Sequence, residues 1–230
     1  KTTAQNFLLK IDSQSISENN IIDSIGYKKK HTSIKEASRE NILFGEKLQK
    51  IGYLGSKNLS TNKENDSLIS SNFFLGKKIK YIHIYIGGKN EISKDILKEK
   101  DTLEILFEDF ESFQNNLLKK LENKGYPMAK ISFIPDGIQK DYLTTRLIID
   151  AEKKRTINKI VFEGFPKFPQ TFIKNTNRIY KGKIIQPETL EKLYSEIDKI
   201  DFVKQSKSPE ILFTRDSTNI YIFLEKNKAN

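Results

Sequence analysis

Three short segments of the chain, LQKIGYLGSK, LENKGYPMAK and IDKIDFVKQS, share one pattern: an amphipathic stretch, a turn residue and an aromatic. The turn residues are Gly52, Gly125 and Asp201, 73 and 76 residues apart, each followed directly by Tyr53, Tyr126 or Phe202. A repeat at that period constrains the fold more than length does, because one supersecondary unit must then account for each third of the chain. Length alone, 230 residues, admits one domain or two. Composition agrees with the repeat: 37% hydrophobic against 30% charged suits several small cores, since small domains bury a smaller share of their surface.

The residues around each turn predict the unit. Before the second turn, Phe110, Phe113, Leu117, Leu118 and Leu121 recur at spacings of three and four, the apolar stripe of a helix. Before the third stand Leu190, Leu193, Tyr194, Ile197 and Ile200, with Pro187 near the start, where a missing amide costs a helix little. The first has Ile34, Ala37, Leu43, Phe44 and Leu48. Gly52 and Gly125 sit where a helix end needs the left-handed conformation, and Asp201 is a poorer substitute.

After the turns, two strands are expected in each of the last two units. In the second they cover 128–134 and 142–150, joined across Pro135, Asp136 and Gly137; in the third they cover 203–214 and 218–225. The first unit departs from this, with a short polar strand at 54–60 and a loop at 61–67. One further strand precedes each helix pair, at 7–13, 80–86 and 157–163, and short first helices fit at 20–25, 93–98 and 170–179. In the middle one Ile82, Ile84 and Ile86 alternate with Tyr81, His83 and Tyr85, so half of it should be buried. The stripe through Phe113, Leu117 and Leu121 is expected to cover that half. The order is strand, helix, helix, strand, strand: an α+β fold of three tandem units, each a three-stranded sheet covered by two helices, at 1–78, 79–153 and 154–230.

That order, repeated in tandem, resembles the POTRA domains that precede outer-membrane barrels in the BamA/TamA superfamily of assembly and translocation proteins. The stretch INKIVFEGFPKFPQTFI is similar to a POTRA opening strand, loop and first helix, and NIYIFLEKNKAN to a last strand running towards a barrel. The resemblance implies a periplasmic module of an outer-membrane protein. Its partners would be unfolded outer-membrane protein precursors, periplasmic accessory proteins and its own C-terminal β-barrel. It implies no catalytic residue, no cofactor and no metal.

A useful surface for such a module is an open sheet edge, whose unpaired amides and carbonyls accept an extended peptide as a further strand. Pro127 and Pro209 place the second strands of the last two units at edges, and Lys204 and Lys207 are typical edge protectors. The candidate binding residues are Val203, Lys204, Gln205, Lys207, Ile211 and Phe213, with Met128, Lys130 and Ser132 in the second unit. An ordinary protected edge without a ligand explains the same residues.

Other functions find less support. There is no Walker A loop, no G-x-S-x-G elbow and no H-E-x-x-H pair. His31 lies in the basic stretch KKKHTS; His83, without a second histidine nearby, is expected to face solvent or a neighbouring unit rather than a metal. Glu104, Glu108, Asp109 and Glu111 are expected to favour a helix start. No cysteine is present, which excludes disulfides and thiolate zinc sites. No stretch approaches the roughly 20 apolar residues that cross a bilayer as a helix. With neither Met nor an apolar leader at Lys1, the chain is expected to be processed or part of a longer protein.

Basic and acidic residues number thirteen and eight in 1–78, twelve and thirteen in 79–153, and fifteen and nine in 154–230. A basic last unit suits an anionic membrane surface, and equally a plain solvated one. Two-partner secretion transporters also use POTRA domains but usually two, which a count of three opposes. A nucleic-acid-binding sheet could use Tyr81 and Tyr85 for stacking, but no RNP-like motif surrounds them, and no nucleic-acid partner is expected.

Overall fold

The computed structural model describes residues 7–87, 91–98 and 101–227, and its strands form three separate sheets. In the first, β1 (Phe7–Asp12) pairs antiparallel with β2 (Lys30–His31). On its other side lies β4 (Leu68–Phe74), parallel, and β3 (Lys57–Asn65) completes the sheet beyond β4. Helices α1 (Ile16–Ile25) and α2 (Ile34–Lys50) cover one face. Ala37, Phe44 and Leu48 turn one side of α2 inward, while Ile69, Ser71 and Phe73 alternate inward from β4. Phe44 meets the edges of Tyr27 and Phe73 at 5.6 and 5.4 Å. Ser33 caps α2 by accepting a hydrogen bond from the Glu36 amide at 3.2 Å.

The middle sheet has the order β6 (Thr102–Leu106), β5 (Tyr81–Ile86), β8 (Tyr142–Asp150), β7 (Lys130–Gln139), with α3 (Glu91–Leu97) and α4 (Phe110–Asn123). Ile82 and Ile84 are buried on β5, and Leu117 and Leu121 on α4. The third sheet places β11 (Thr218–Lys226) between β9 (Lys159–Glu163), parallel, and β10 (Val203–Phe213), antiparallel. Helices α5 (Gln170–Tyr180) and α6 (Pro187–Asp198) pack on it around Ile160, Phe168, Tyr180, Leu193, Ile197 and Ile220. The described residues divide into two compact units, 7–85 with 101–111 and 134–146, and 86–87 and 91–98 with 112–133 and 147–227. The first sheet belongs wholly to one, the third to the other, and the middle sheet contributes residues to both.

Several expectations need correction. The first two sheets have four strands, because β2 and β6 pair with the outer side of β1 and β5. Glu104 is therefore on a strand; only Glu108, Asp109 and Glu111 stand at the helix start. His31 lies on β2 and is buried, its Nε2 2.7 Å from the Lys28 carbonyl. The expected loop at 61–67 is strand as far as Asn65: every β3 side chain is exposed, so its polar sequence carries no inward alternation to announce it. The turn expected at Pro135, Asp136 and Gly137 is interior to β7, and the chain reverses at Lys140 and Asp141, with Lys140 at φ +57°. Proline is tolerated there because β7 is an outer strand.

The repeat register also shifts. Gly52 and Gly125 have φ of +104° and +89°, and the amides of Tyr53 and Tyr126 donate back to Leu48 and Leu121, closing a left-handed helix end. In the third unit Ile200, not Phe202, occupies the aromatic's place. Its carbonyl accepts from Val203, as that of Tyr53 does from Ser56 and that of Tyr126 from Ala129. Lys199, at φ −78°, stands where the glycines stand, so Asp201 and the half-exposed Phe202 come two residues too late. With Lys199 in register the turns are 73 and 74 residues apart.

Candidate functional site

The third sheet has two outer strands, and they are treated differently. On β9, the side chain of Asn177 from α5 lies along the backbone of Ile160: its Oδ1 accepts the Ile160 amide at 2.8 Å and its Nδ2 donates to the Ile160 carbonyl at 2.9 Å. One side-chain amide thus imitates a neighbouring strand. Corresponding strands in the other sheets are covered by β2 and β6, and beyond β2 the Tyr27 hydroxyl accepts the Ile11 amide at 2.8 Å. Among the described residues the opposite edge of each sheet, β3, β7 or β10, has a strand partner on one side only.

On β10 the hydrogen-bonding alternation fixes which groups face outward. Thr214 donates its amide to the Ser217 carbonyl at 2.9 Å, closing the turn to β11. Pairs in an antiparallel ladder alternate between bonded and non-bonded. Phe213–Thr218 and Ile211–Ile220 are therefore non-bonded pairs, and the amides and carbonyls of Phe213 and Ile211 point to the open edge. Two register shifts, between Gln205 and Lys207 and between Lys207 and Glu210, bulge the strand around Pro209. Bulges of this kind twist an edge and limit uncontrolled pairing.

The side chains divide between two faces. Val203 is buried, and Ile211 and Phe213 pack partly against the helix-covered core. Gln205 is tied to α6 through a 2.6 Å bond to Asp198. Behind it Tyr180 donates to Glu196 at 2.7 Å; burial first, then that bond, push its hydroxyl well above the ordinary tyrosine range. On the helix-free face Lys207 lies 3.7 Å from the centroid of the Phe223 ring and pairs with Glu210 at 2.7 Å, while Lys204 pairs with Glu225 at 3.0 Å. Lys207, Glu210 and Phe223, with Glu163, Leu212 and Tyr221, border a shallow cavity of about 420 Å³.

Of the residues singled out in the sequence, Val203, Lys204, Gln205, Lys207, Ile211 and Phe213 come together on β10. Lys130 and Ser132 stand on β7 of a different sheet, with Lys130 paired to Glu152 at 3.0 Å. Met128 is not on a strand: it and Pro127 form the turn before β7. His83 bonds Glu104 and meets the Tyr142 ring at 4.5 Å. Leu212, Tyr221 and Phe223 were missed, although the inward alternation of Ile220, Ile222 and Leu224 already puts Tyr221 and Phe223 on the other face.

No family model and no curated protein matches the sequence. Among solved structures the chain is similar to POTRA3–5 of BamA from Haemophilus influenzae, at 15% identity and a TM-score of 0.52, covering 99% of this chain and 100% of that one. It is also similar to BamA from Haemophilus ducreyi lacking POTRA domains 1–3, at 14% identity and a TM-score of 0.46, covering 65% of this chain and 29% of that one. A third likeness is to POTRA1–3 of the periplasmic domain of Omp85 from Anabaena, at 11% identity and a TM-score of 0.36, covering 98% of each. The first likeness establishes the fold: the chain folds as consecutive POTRA domains.

Proposed function

We propose that the chain is the periplasmic POTRA region of an outer-membrane barrel assembly or protein-translocation factor, with modules at 1–78, 79–153 and 154–230. It acts by binding rather than catalysis. Unfolded outer-membrane protein segments add as a further strand to the open edge of β10, and secondarily to β7 at Lys130 and Ser132. Accessory proteins and the factor's own barrel are the further partners. The observation that carries this reading is the asymmetry of the third sheet, where Asn177 closes β9 and β10 stays open. Main-chain bonding makes such a site weak and tolerant of sequence, with the side chains beside the edge refining the choice.

The test is proline at Ile211. Its amide faces the open edge, so Ile211→Pro removes a donor to the incoming strand without breaking a bond to β11. The expected result is loss of peptide-induced NMR shifts in β10, with circular dichroism unchanged, when a peptide from an outer-membrane barrel strand is titrated to about millimolar concentration. Ile220→Pro, in the central β11, should instead unfold the module. Wild-type shifts confined to the helices, or none, would refute strand addition and favour docking of a folded protein.

A further inference from the structure

A second cavity, of about 410 Å³, lies at the end of the third sheet nearest the β10–β11 turn. Lys153, Lys154 and Arg155 border it from the segment before β9, Lys181 from the end of α5, and Arg215 from the turn itself. Its one acidic lining residue, Asp216, stands 3.7 Å from Lys153 with both side chains largely exposed, a weak pair. On β10 two cations are matched by carboxylates, Lys204 by Glu225 and Lys207 by Glu210. Lys154, Lys181 and Arg215 have no carboxylate partner among the described residues. The Lys154 side chain runs towards Gly125, but Lys153, Arg155, Lys181 and Arg215, from three stretches of chain, gather about one cavity with a single carboxylate and repel one another until an anion enters.

The frame that holds them is ordered. The Arg155 side chain donates to the Thr214 carbonyl at 2.7 Å and lies 5.9 Å over the Phe213 ring, contacts that leave its charge uncompensated. Its main chain donates to Gly125 and accepts from Ile185. The turn presenting Arg215 is tightened by the Ser217 amide donating to Thr214 Oγ1 at 3.0 Å. Cations converging from several directions suit a compact, multiply charged acceptor better than a planar carboxylate. We propose that this cavity binds a phosphate group, either free or on a lipid headgroup. The inference does not depend on strand addition at β10.

The test titrates inorganic phosphate into the full chain, observed by amide NMR, with chloride at equal ionic strength as reference. Flotation with vesicles of phosphatidylglycerol and phosphatidylethanolamine, against vesicles of phosphatidylcholine, distinguishes the sources. Lys181→Gln with Arg215→Gln is compared with Lys167→Gln with Lys192→Gln, exposed lysines of the same module outside the cavity, so both variants lose the same charge. Phosphate should shift amides at 153–158 and 215–218, and the cavity variant should bind about tenfold more weakly while the control stays within about twofold of wild type. Shifts with phosphate but no flotation assign the site to free phosphate; shifts together with variant-sensitive flotation assign it to the headgroup. Equal losses in the two variants, or no shift beyond that given by chloride, would overturn the proposal.

Discussion

Gly52 and Gly26 both have positive φ, +104° and +68°, but their surroundings differ, and alanine at each separates two physical effects. At Gly26 a Cβ would meet nothing within 4 Å, so only the backbone, at φ +68° and ψ +151°, opposes it. That combination is adopted almost solely by glycine and strains other residues by roughly 1–3 kcal/mol, offset by about 0.4–1 kcal/mol from the restricted unfolded chain. Gly26→Ala should therefore cost about 1–2 kcal/mol. At Gly52 the Cβ would stand 2.5 Å from the Ile79 carbonyl oxygen, a backbone atom with little freedom to yield. Relieving the overlap displaces the segment whose Ile79 amide donates to the Gly52 carbonyl at 2.8 Å, a bond worth about 1 kcal/mol. Gly52→Ala should thus cost about 1 kcal/mol more than Gly26→Ala. Several modules need not unfold together, so the measurement is the urea dependence of individual amide cross-peaks from β1 and β4. Equal costs at the two positions would refute the idea that Gly52 is needed for close approach rather than for ending α2.

Leu117→Ala should cost about 2–5 kcal/mol, because the side chain is 2% exposed; a change below about 0.5 kcal/mol in urea unfolding would put the stripe in solvent. Asn177→Ala should cost about 1–3 kcal/mol by leaving the Ile160 amide and carbonyl unpaired, and should raise hydrogen exchange of the Ile160 amide; unchanged exchange would mean that β9 was never closed by this side chain. Tyr180 is protonated more firmly in the folded chain than in the unfolded one, so its contribution is intact below about pH 10, the unfolded value, and is lost as pH rises towards the raised folded value. The stability of the third module followed against pH should fall above about pH 10, and Tyr180→Phe should flatten that fall; an identical slope in the variant would contradict the assignment.

The helices were legible because burial writes itself at helical spacing, as in Leu117 and Leu121 on α4 or Leu193 and Ile197 on α6. Strands with one buried face were legible too: Ile82 and Ile84 on β5, or Ile220, Ile222 and Leu224 on β11. What escaped were β6, only five residues long though Leu103 and Ile105 alternate inward, and elements with no readable inward period. β3 is exposed at every position, and β2, two residues long, is too short to show a period. The third turn misled because Asp201 and Phe202 imitate the Gly-Tyr pair in composition, whereas α6 ends at Asp198 and burial selects Ile200. Pro209 did mark an edge strand, since a residue without an amide survives only where none is needed.

The closure of β9 was not legible at all, and the reason is geometric. Asn177 is 17 residues from Ile160 and stands on a helix, where an asparagine ordinarily signals nothing. It acquires its role only because α5 packs over β9 and brings a side-chain amide alongside both polar groups of one residue. A third hydrogen bond, from Nδ2 to the Ile173 carbonyl at 3.0 Å, holds the side chain to its own helix. The three sheets use different devices on the same side, β2, β6 and Asn177, and none opposite. Closing an edge protects against pairing with other chains. Closing the β1, β5 and β9 side by separate means, while bulging rather than covering β3 and β10, is the arrangement that the proposed strand addition would require.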